Sequence, residues 1–538
     1  MIRPSAEGLD QAGERFPDLL RDESNLAAGR ATRVYLPSSA EEVADVVAEA
    51  ARTGATITVS GARTGISGGA VPVPGEECGA AAGEPVGGVT GEHWVLSLQK
   101  LQRLHPPRID PDSGEVTVRV EAGVSLDHLA RSLDGVRSVS GARLVYPVDP
   151  TEWSASVGGT VATNASGGRS FRYGPTGSWV RGLTLVLADG RRVDLRRGEV
   201  HAGQDAVFWP HAPGAAPIPV PRIPRPRSRC VAGYDLAPGG DLLDLFIGSE
   251  GTLGVVVEAE LALTPAPSVE LGIVGFLPAG VNVVALVADL REDSRLPAMA
   301  IEFMDAASLR LLREERAQGR GGSIPELPAS AHSALFVELG FGAEAEVDTA
   351  LEGLDEVLAR HGASMDDTWA GDDAAEHRKL RALRHAVPEA VNARITRYRR
   401  TVPSLHKVGT DLAVPDEAAA EMYGLYEQVR DASGLESVLF GHAAENHLHL
   451  NFLPRTEGEL DQARALHLEL AREAVRLGGS VTAEHGVGRL KRSLVSIQYG
   501  DEGVRELRRI KDVLDPRGTL NPGVLLPSRS TVPTAPER

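Results

Sequence analysis

The sequence predicts an α+β protein of more than one domain, and three observations support this prediction. The chain has 538 residues, which allows about two to four domains at roughly 150 residues each. Hydrophobic residues make up 42% and charged residues 24%, a balance typical of globular chains with a packed core. Short strand and helix patterns occupy the chain up to Pro265, and longer helical patterns follow, which indicates a domain boundary near residue 266.

The first predicted elements are a strand, a helix and a second strand within residues 34–59. Ser39 is a predicted N-cap and Gly54 a predicted helix stop. Strand and helix patterns resume at 115–133 and 183–195. Residues 201–229 carry repeated proline and the arginines Arg222, Arg225, Arg227 and Arg229. A solvated insertion is expected there, and a docking arm for an acidic partner or a membrane is the alternative.

Charge and cysteine content exclude several classes of protein. Lys and Arg number 56 and Asp and Glu 74, so the net charge is −18, which argues against a nucleic-acid partner. Cys78 and Cys230 are too few for a disulfide framework or a cysteine-ligated iron–sulfur cluster. No signal-peptide pattern and no apolar run long enough for a membrane span is visible. We therefore expect a soluble, cytoplasmic protein.

Glycine is the most informative residue type. The chain has 59 glycines, many of them in three clusters at 60–72, 147–177 and 244–263. Closely spaced glycines let backbone N–H groups converge on a phosphate, although each cluster taken alone is more typical of a tight turn. The G-x-S-x-G pattern around Ser67 matches a hydrolase nucleophile elbow, but such an elbow requires a following helix. Pro72 and Pro74 make that helix improbable, so Ser67 is not expected to be a nucleophile.

A second informative region combines residues 440–454 and 481–492. Strand alternation puts His447, His449 and Asn451 on one face. His442 lies just before them, and Glu484 and His485 come later. Two histidines and one glutamate can form a catalytic zinc site with an open position. The alternative is a pair of ordinary surface histidines on a strand.

The three glycine clusters resemble the FAD-binding domain of the vanillyl-alcohol oxidase/PCMH flavoprotein superfamily in order and spacing. This resemblance implies a PCMH-type FAD-binding domain of two subdomains. Two departures concern the first loop. Gly61-Ala62-Arg63 replaces the three glycines of the family pattern. Thr64 stands where members with covalently bound flavin often have histidine, so FAD is expected to bind non-covalently here. The implied cofactor contacts are Ser60, Gly61, Ala62, Arg63, Thr64, Gly65, Ile66, Ser67, Gly68, Gly69, Pro147, Asp149, Val157, Gly158, Gly159, Thr163, Asn164, Gly167, Tyr173, Gly174, Glu250, Gly251, Gly254, Val255 and Asn521.

The histidine segments resemble those of FAD-linked D-2-hydroxyacid dehydrogenases, which oxidise D-lactate, D-2-hydroxyglutarate or glycolate. The resemblance implies a divalent metal, with zinc expected first, and a catalytic base. The implied roles are metal ligation by His442, His449 and Glu484, proton abstraction by His485, and substrate binding by Asn451, Arg384 and, for a second carboxylate, Lys407. Residues 444–447 replace the Gly-Asp-Gly-Asn of that family, so His447 either adds a ligand or reshapes the pocket.

These resemblances imply a domain plan. We expect an extension at 1–29, an FAD-binding domain at 30–266 with insertions near 74–92 and 201–229, and a substrate or cap domain at 267–480. The cap domain is expected to be α+β with an antiparallel sheet. A catalytic C-terminal segment at 481–527 would return to the FAD-binding domain, and 528–538 would form a tail.

The implied function is oxidation of a small anionic D-2-hydroxy acid, with hydride transfer to flavin N5. Electrons would pass to an external acceptor, namely a quinone, a cytochrome, an electron-transfer flavoprotein or O₂. One alternative is a redox-neutral synthase of the alkyl-dihydroxyacetone-phosphate type, although such enzymes carry a run of histidines where this chain has Ala483-Glu484-His485. Another is an FAD-bearing subunit of a larger oxidase complex. Peripheral membrane contact and a homodimer stay open.

Overall fold

A computed structural model of the chain describes residues 15–72, 91–320, 325–371 and 374–526. The expected loop near 74–92 and the tail at 528–538 lie almost wholly outside these ranges. The strands are β1 Arg33–Tyr35, β2 Thr56–Ser60, β3 His93–Ser97, β4 Arg108–Ile109, β5 Val116–Glu121, β6 Leu144–Val145, β7 Val180–Val186, β8 Arg192–Arg196, β9 Ala206–Val207, β10 Ile218–Pro219, β11 Val255–Ala262, β12 Thr264–Pro265, β13 Val269–Leu277, β14 Ala298–Met304, β15 Ser333–Phe341, β16 Thr368–Gly371, β17 Val408–Gly409, β18 Leu412–Ala413, β19 Ser437–His442 and β20 His447–Phe452.

The α-helices mostly cover the sheets or connect their strands. They are α1 Ala40–Thr53, α2 Leu126–Ser132, α3 Val157–Thr163, α4 Ser170–Tyr173, α5 Leu242–Phe246, α6 Val283–Glu292, α7 Ala306–Ala317, α8 Val347–Arg360, α9 Ala374–Tyr398, α10 Ala419–Ser433, α11 Glu457–Arg476 and α12 Arg492–Leu514. Among the described residues, none of these helices combines the length and the apolar character that a membrane crossing needs.

The N-terminal half contains two main sheets. A parallel three-stranded sheet has the order β1-β3-β2, and an antiparallel five-stranded sheet has the order β4-β5-β11-β7-β8. Helix α1 begins where predicted, because the Ser39 hydroxyl accepts a hydrogen bond from the N–H of Glu42 at 3.2 Å. It ends at Gly54, whose φ of 79° is the left-handed conformation of a helix stop.

The C-terminal half is built on one antiparallel sheet, as expected for a cap domain. Its order is β16-β13-β15-β14-β19-β20-β17, and β18 pairs with β20. The pairing of β14 with β19 aligns Glu302 with His442, and the pairing of β19 with β20 aligns His442 with His447. The sheet therefore brings together polar residues from three strands.

Two connections join the halves where the functional residues lie. Arg169 donates hydrogen bonds to Glu338 on β15, at 2.7 and 2.8 Å, and to Glu270 on β13, at 2.7 Å. The C-terminal segment returns to the first sheet, as predicted, because the Ile57 N–H donates to the Thr519 carbonyl at 2.7 Å. The Asn521 N–H donates to the Ile57 carbonyl at 2.8 Å.

The segment 201–229 differs from the expected solvated insertion. Val207, Trp209, Ile218 and Val220 are buried in the core, so that interpretation is wrong for its apolar residues. Its arginines also have partners within this chain, which leaves less charge for an acidic partner. The pairs are Arg222 with Asp205, Arg225 with Asp235, Arg227 with Glu417 and Arg229 with Glu445.

Candidate flavin and metal sites

The first glycine segment begins at the end of β2 and meets the second segment at Ser156. The Ser156 hydroxyl accepts from the Gly159 N–H, which caps α3, and from the Ala62 N–H, both at 3.3 Å. A Cβ atom at Gly61 would lie 2.5 Å from this hydroxyl oxygen, so only glycine allows the approach. The third segment joins them through the Glu250 N–H, which donates to the Ala162 carbonyl at 2.7 Å.

These segments leave polar groups and space that fit a cofactor such as FAD. Ser60 and Ser97 are register partners at the ends of β2 and β3 and are fully buried. Among the described residues, neither hydroxyl has a hydrogen-bond partner. A Cβ atom at Gly65 would meet no atom of the described chain within 4 Å. Two buried hydroxyls without partners, beside an open glycine loop, suit phosphate oxygens.

Two of the predicted flavin contacts, Glu250 and Asn521, bind other parts of the protein with their side chains. The Glu250 carboxylate accepts from the N–H groups of Val487 and Gly488, both at 2.8 Å, and burial raises its pKa to about 7. The Asn521 amide accepts from the Val59 N–H at 2.7 Å and donates to the Glu250 carbonyl at 2.6 Å. The Glu250 and Asn521 side chains therefore hold the C-terminal segment against the glycine segments, and their contact with a flavin stays a prediction.

The other predicted flavin contacts lie along the three segments. Some of their glycines are required by contacts of the protein with itself: a Cβ atom at Gly167 would lie 1.8 Å from the Asp149 carbonyl oxygen, and one at Gly158 would lie 2.6 Å from the Ala122 Cβ. Residues 61–69 form the first loop. In the second segment, Pro147 and Asp149 precede α3, the helix contains Val157, Gly158, Gly159 and Thr163, and Asn164 ends it; Gly167 precedes α4, which contains Tyr173 and is followed by Gly174. In the third segment, Gly251 and Gly254 precede Val255, the first residue of β11.

Three of the predicted metal and base residues converge on a fourth, Glu484. The Nε2 atoms of His442 and His485 lie 3.2 Å from Glu484 carboxylate oxygens, and that of His449 lies 3.3 Å away. Ligand atoms of Glu484, His442, His449 and His447 all lie within 4.8 Å of one another. The interpretation as surface histidines is wrong, since His447 and His449 are 1% and 8% exposed.

The other ring nitrogens of the two predicted histidine ligands have protein acceptors. Nδ1 of His442 lies 2.7 Å from Glu302 Oε1, and Nδ1 of His449 lies 3.1 Å from the Thr410 carbonyl oxygen. This arrangement, in which Nδ1–H is bound and Nε2 faces a carboxylate, is typical of histidines that ligate a metal. The residues present therefore fit a divalent cation.

Charge is balanced tightly around Glu484. Burial lowers the pKa of His442, but Glu302 and Glu484 outweigh burial and raise it well above its ordinary value. Burial raises the pKa of Glu484, but His442, His449 and His485 outweigh it and hold the carboxylate well below its usual range. Without a cation, the cluster is stable as an imidazolium–carboxylate pair.

Asp411 organises the neighbourhood of His485 and was missed by sequence reasoning. Its buried carboxylate lies 3.4 Å from His485 Nδ1, 2.9 Å from His447 Nε2 and 2.7 Å from Lys491 Nζ. Burial raises its pKa, but His485 and Lys491 outweigh burial and lower it well below the ordinary value. Burial lowers the pKa of His485, but Asp411 and Glu484 outweigh this and raise it to about 9. An acidic residue four positions after Lys407, directly before the apolar residues Leu412, Ala413 and Val414, was the available signal.

Among the predicted substrate contacts, Arg384 and Asn451 adjoin the cluster. Arg384 Nη2 lies 3.4 Å from Glu302 Oε1, and its guanidinium packs on Gly168, where a Cβ atom would lie 2.1 Å from Nη2. Asn451 is 4% exposed and donates to the His449 carbonyl at 3.3 Å.

Lys407 lies just before β17, the strand that pairs with β20. No partner for its ammonium is found within the described ranges, and burial lowers its pKa. The structure therefore links Arg384 and Asn451 to the cluster by direct bonds, and Lys407 only through strand pairing.

The four residues that depart from the family pattern are integrated into the structure. Glu445 forms an ion pair with Arg229 and accepts from the Ser170 hydroxyl at 2.5 Å. Asn446 adopts the left-handed conformation at φ 50° and donates to Asp416 at 2.6 Å. His447 enters the histidine cluster, as described above.

A glycine-rich fold of this kind, joined to a buried histidine–carboxylate cluster, defines an FAD-dependent oxidoreductase with two structural halves. The family model described as "FAD binding domain" matches residues 31–196, and "FAD linked oxidases, C-terminal domain" matches 270–525. The chain belongs to this family of FAD-linked oxidases, within the PCMH-type flavoproteins.

Similar proteins cover nearly the whole chain. It is 32% identical to a D-2-hydroxyglutarate dehydrogenase of Xanthomonas citri pv. viticola, over 91% of this chain and 88% of that protein. It is 29% identical to a D-lactate dehydrogenase of Anaerostipes hadrus, over 90% and 87%, and 26% identical to glycolate oxidase subunit GlcD of Bacillus subtilis, over 91% and 88%. A solved alkyldihydroxyacetonephosphate synthase matches with a TM-score of 0.55 at 16% identity, over 92% of this chain and 77% of that one, which shows a shared fold alone.

Proposed function

We propose that this chain oxidises a small D-2-hydroxy acid of the lactate, 2-hydroxyglutarate or glycolate class to the 2-oxo acid. The observation that carries the proposal is that Arg384 and His485 flank one buried cluster centred on Glu484. The proposal is supported because an arginine that can bind a carboxylate and a histidine that can accept a proton both adjoin the candidate metal site. The relatives named above act on this class of acid.

Binding begins with the substrate carboxylate. The planar guanidinium of Arg384 offers a two-pronged donor for it, and Asn451 adds an amide beside His449. In a chain of net charge −18, such local donors are needed to admit an anion. Lys407 would receive a second carboxylate, because the ammonium of this half-buried side chain has no protein partner within the described ranges.

His485 accepts the hydroxyl proton at one ring nitrogen. Asp411 holds the ring through Nδ1, so Nε2 is the nitrogen that faces Glu484 and the substrate. Glu484 is one of the two carboxylates that raise the pKa of His485. If Glu484 held a divalent cation, its carboxylate would raise the pKa of His485 less, and the imidazole would be closer to the neutral form that a base requires. Asp411 is therefore a positioning residue.

FAD and a divalent cation, when bound, would each supply one part of the chemistry. FAD, when bound by the three glycine segments, supplies the hydride acceptor. A divalent cation held by His442, His449 and Glu484, with zinc expected first, supplies a Lewis acid toward the hydroxyl. The sequence has two cysteines and cannot build a cysteine-ligated relay, so an external quinone, cytochrome, flavoprotein or O₂ reoxidises the flavin.

The test is anaerobic mixing of the FAD-loaded chain with matched D- and L-2-hydroxy acids, followed by the flavin absorbance. D-Acids should bleach the flavin and L-acids should not. If every D-acid leaves the flavin oxidised, the proposal fails. Acid precipitation in the same preparation should release the flavin into the supernatant, since Thr64 cannot form the covalent bond that a histidine can.

A further inference from the structure

His447 differs from the other cluster histidines because one of its nitrogens has no protein partner. Its side chain is 1% exposed, and Nε2 lies 2.9 Å from Asp411 Oδ1. Nδ1 is buried and, within the described part of the chain, makes no hydrogen bond. A buried nitrogen left without a partner destabilises the folded protein, so a ligand that occupies it stabilises the site.

The hydrogen bond to Asp411 fixes which nitrogen carries the proton. The Asp411 carboxylate can only accept, and Lys491 and His485 keep it ionised, so Nε2 of His447 donates. Within the described residues, Nδ1 of His447 has no acceptor that could receive a second ring proton, so the proton on Nε2 is the one the surroundings support. A neutral ring protonated at Nε2 has its lone pair on Nδ1, the form that binds a metal.

The ring of His447 lies beside the rings of the two predicted histidine ligands. The ring centroid of His447 lies 4.5 Å from that of His449 and 5.3 Å from that of His442. A ligand atom of His447 belongs to the group that lies within 4.8 Å together with His442, His449 and Glu484. Donors bound to one cation at about 2.0–2.1 Å lie at most about 4.2 Å apart, so only a small adjustment is needed.

We propose that Nδ1 of His447 is a fourth protein ligand of the divalent cation, which gives this chain three imidazoles and one carboxylate. The inference rests on the metal site of the proposed function. Asp411 then orients a metal ligand through its far nitrogen, as carboxylates do at other histidine–metal sites. Three imidazole donors favour zinc or a later first-row ion over magnesium, calcium or manganese.

The experiment measures metal binding directly and does not depend on turnover. The FAD-loaded chain is stripped with a chelator and dialysed against graded Zn²⁺ or Co²⁺. His447→Asn, which restores the residue of the family pattern, should weaken Zn²⁺ binding by at least about 100-fold and change the visible spectrum of the Co²⁺ form. His467→Asn is the matched control, because Nε2 of His467 is also buried without a partner but His467 belongs to neither candidate ligand group.

X-ray absorption at the zinc edge of the wild-type chain gives a second measurement that needs no variant. It should detect scattering from three imidazoles, and two would overturn the inference. Unchanged Zn²⁺ affinity and an unchanged Co²⁺ spectrum in His447→Asn would overturn it as well. Flavin bleaching by D-acids is scored separately, so the oxidation can stand while the fourth ligand fails. If the wild-type chain binds no divalent cation, both the inference and the metal role fail.

Discussion

Two buried histidines, one in each half of the molecule, show that the partner of a ring matters more than its burial. His93 and His442 are 6% and 7% exposed. The nitrogens of His93 lie 2.7 and 2.9 Å from the hydroxyls of Thr56 and Thr58, and burial lowers its pKa to about 3. His442 lies between Glu302 and Glu484, which outweigh burial and raise its pKa well above the ordinary value.

The difference lies in what the partners can do. A hydroxyl can donate or accept, so it satisfies a neutral ring in either tautomer and leaves His93 with a structural role. A carboxylate can only accept, so a ring between two of them is either charged or gives one nitrogen to a cation. Variants at Glu484, His485 and His93 test this distinction between structural and functional histidines. A variant at Lys407 tests one predicted substrate contact.

The largest effect is expected from Glu484→Gln, which removes the charge shared by three histidines. Flavin reduction by the active D-acid should fall about 1000-fold, because a cation and the base both lose their common carboxylate. Anaerobic stopped-flow absorbance measures the rate. Glu473→Gln is the control, since Glu473 is a partly exposed helix residue paired with Arg476. A rate within threefold of the wild type would contradict the central role of Glu484.

His485→Ala should retain FAD and reduce it about 100- to 1000-fold more slowly, the range usual for loss of a general base. Flavin content after gel filtration and the rate of bleaching are measured together. His105→Ala is matched in exposure, at 31% for both side chains, but His105 pairs with Glu258 in the N-terminal half. Equal rates in the two variants would reject His485 as the base.

His93 is expected to change stability and not chemistry. Its folded-state pKa of about 3 lies below the unfolded value of 6.5, so below pH 6.5 the unfolded chain binds a proton that the folded chain does not. Stability is therefore lost as the pH falls from 6.5 toward 3. Between pH 7 and 5 the wild-type chain should lose about 2 kcal/mol more than His93→Asn in urea unfolding. Parallel curves for the two proteins would contradict the assignment.

Lys407→Met should have the smallest effect on stability, a gain of about 1 kcal/mol, because the substitution removes the ammonium of a half-buried side chain that has no described partner. The same variant should lose activity toward a 2-hydroxy acid with a second carboxylate and retain it toward lactate. Lys379→Met, at an exposed lysine paired with Glu376, is the control. An equal loss toward both acids would show that Lys407 does not select the second carboxylate.

The sequence alone predicted those features that depend on neighbouring residues in the chain. Ser39 and Gly54 bound α1 as their capping chemistry requires, and alternation correctly placed His447, His449 and Asn451 on one strand, β20. The three glycine clusters were also recognisable, because segments whose backbones approach each other closely require glycine, and glycine is visible in the sequence.

Contacts across the sheet could not be predicted in the same way. Glu302 meets His442 only because β14 pairs with β19 in one register, 140 residues apart. Asp411 reaches His485 across the fold, and the Glu250 carboxylate is bound by Val487 and Gly488. Each of these three contacts depends on which segments the fold brings together. A single acidic residue in an otherwise apolar, fully buried strand, as Glu302 is in β14, is the signal to look for.

The Asn521 amide has a consequence for the order in which the protein is made. It joins the Val59 N–H, 462 residues earlier, to the Glu250 carbonyl, 271 residues earlier. A ribosome will have completed almost the whole flavin-binding half before this residue emerges. The loops that would hold the cofactor acquire their last hydrogen bonds late in synthesis, so a nascent chain interrupted before Asn521 lacks the contacts that fix those loops.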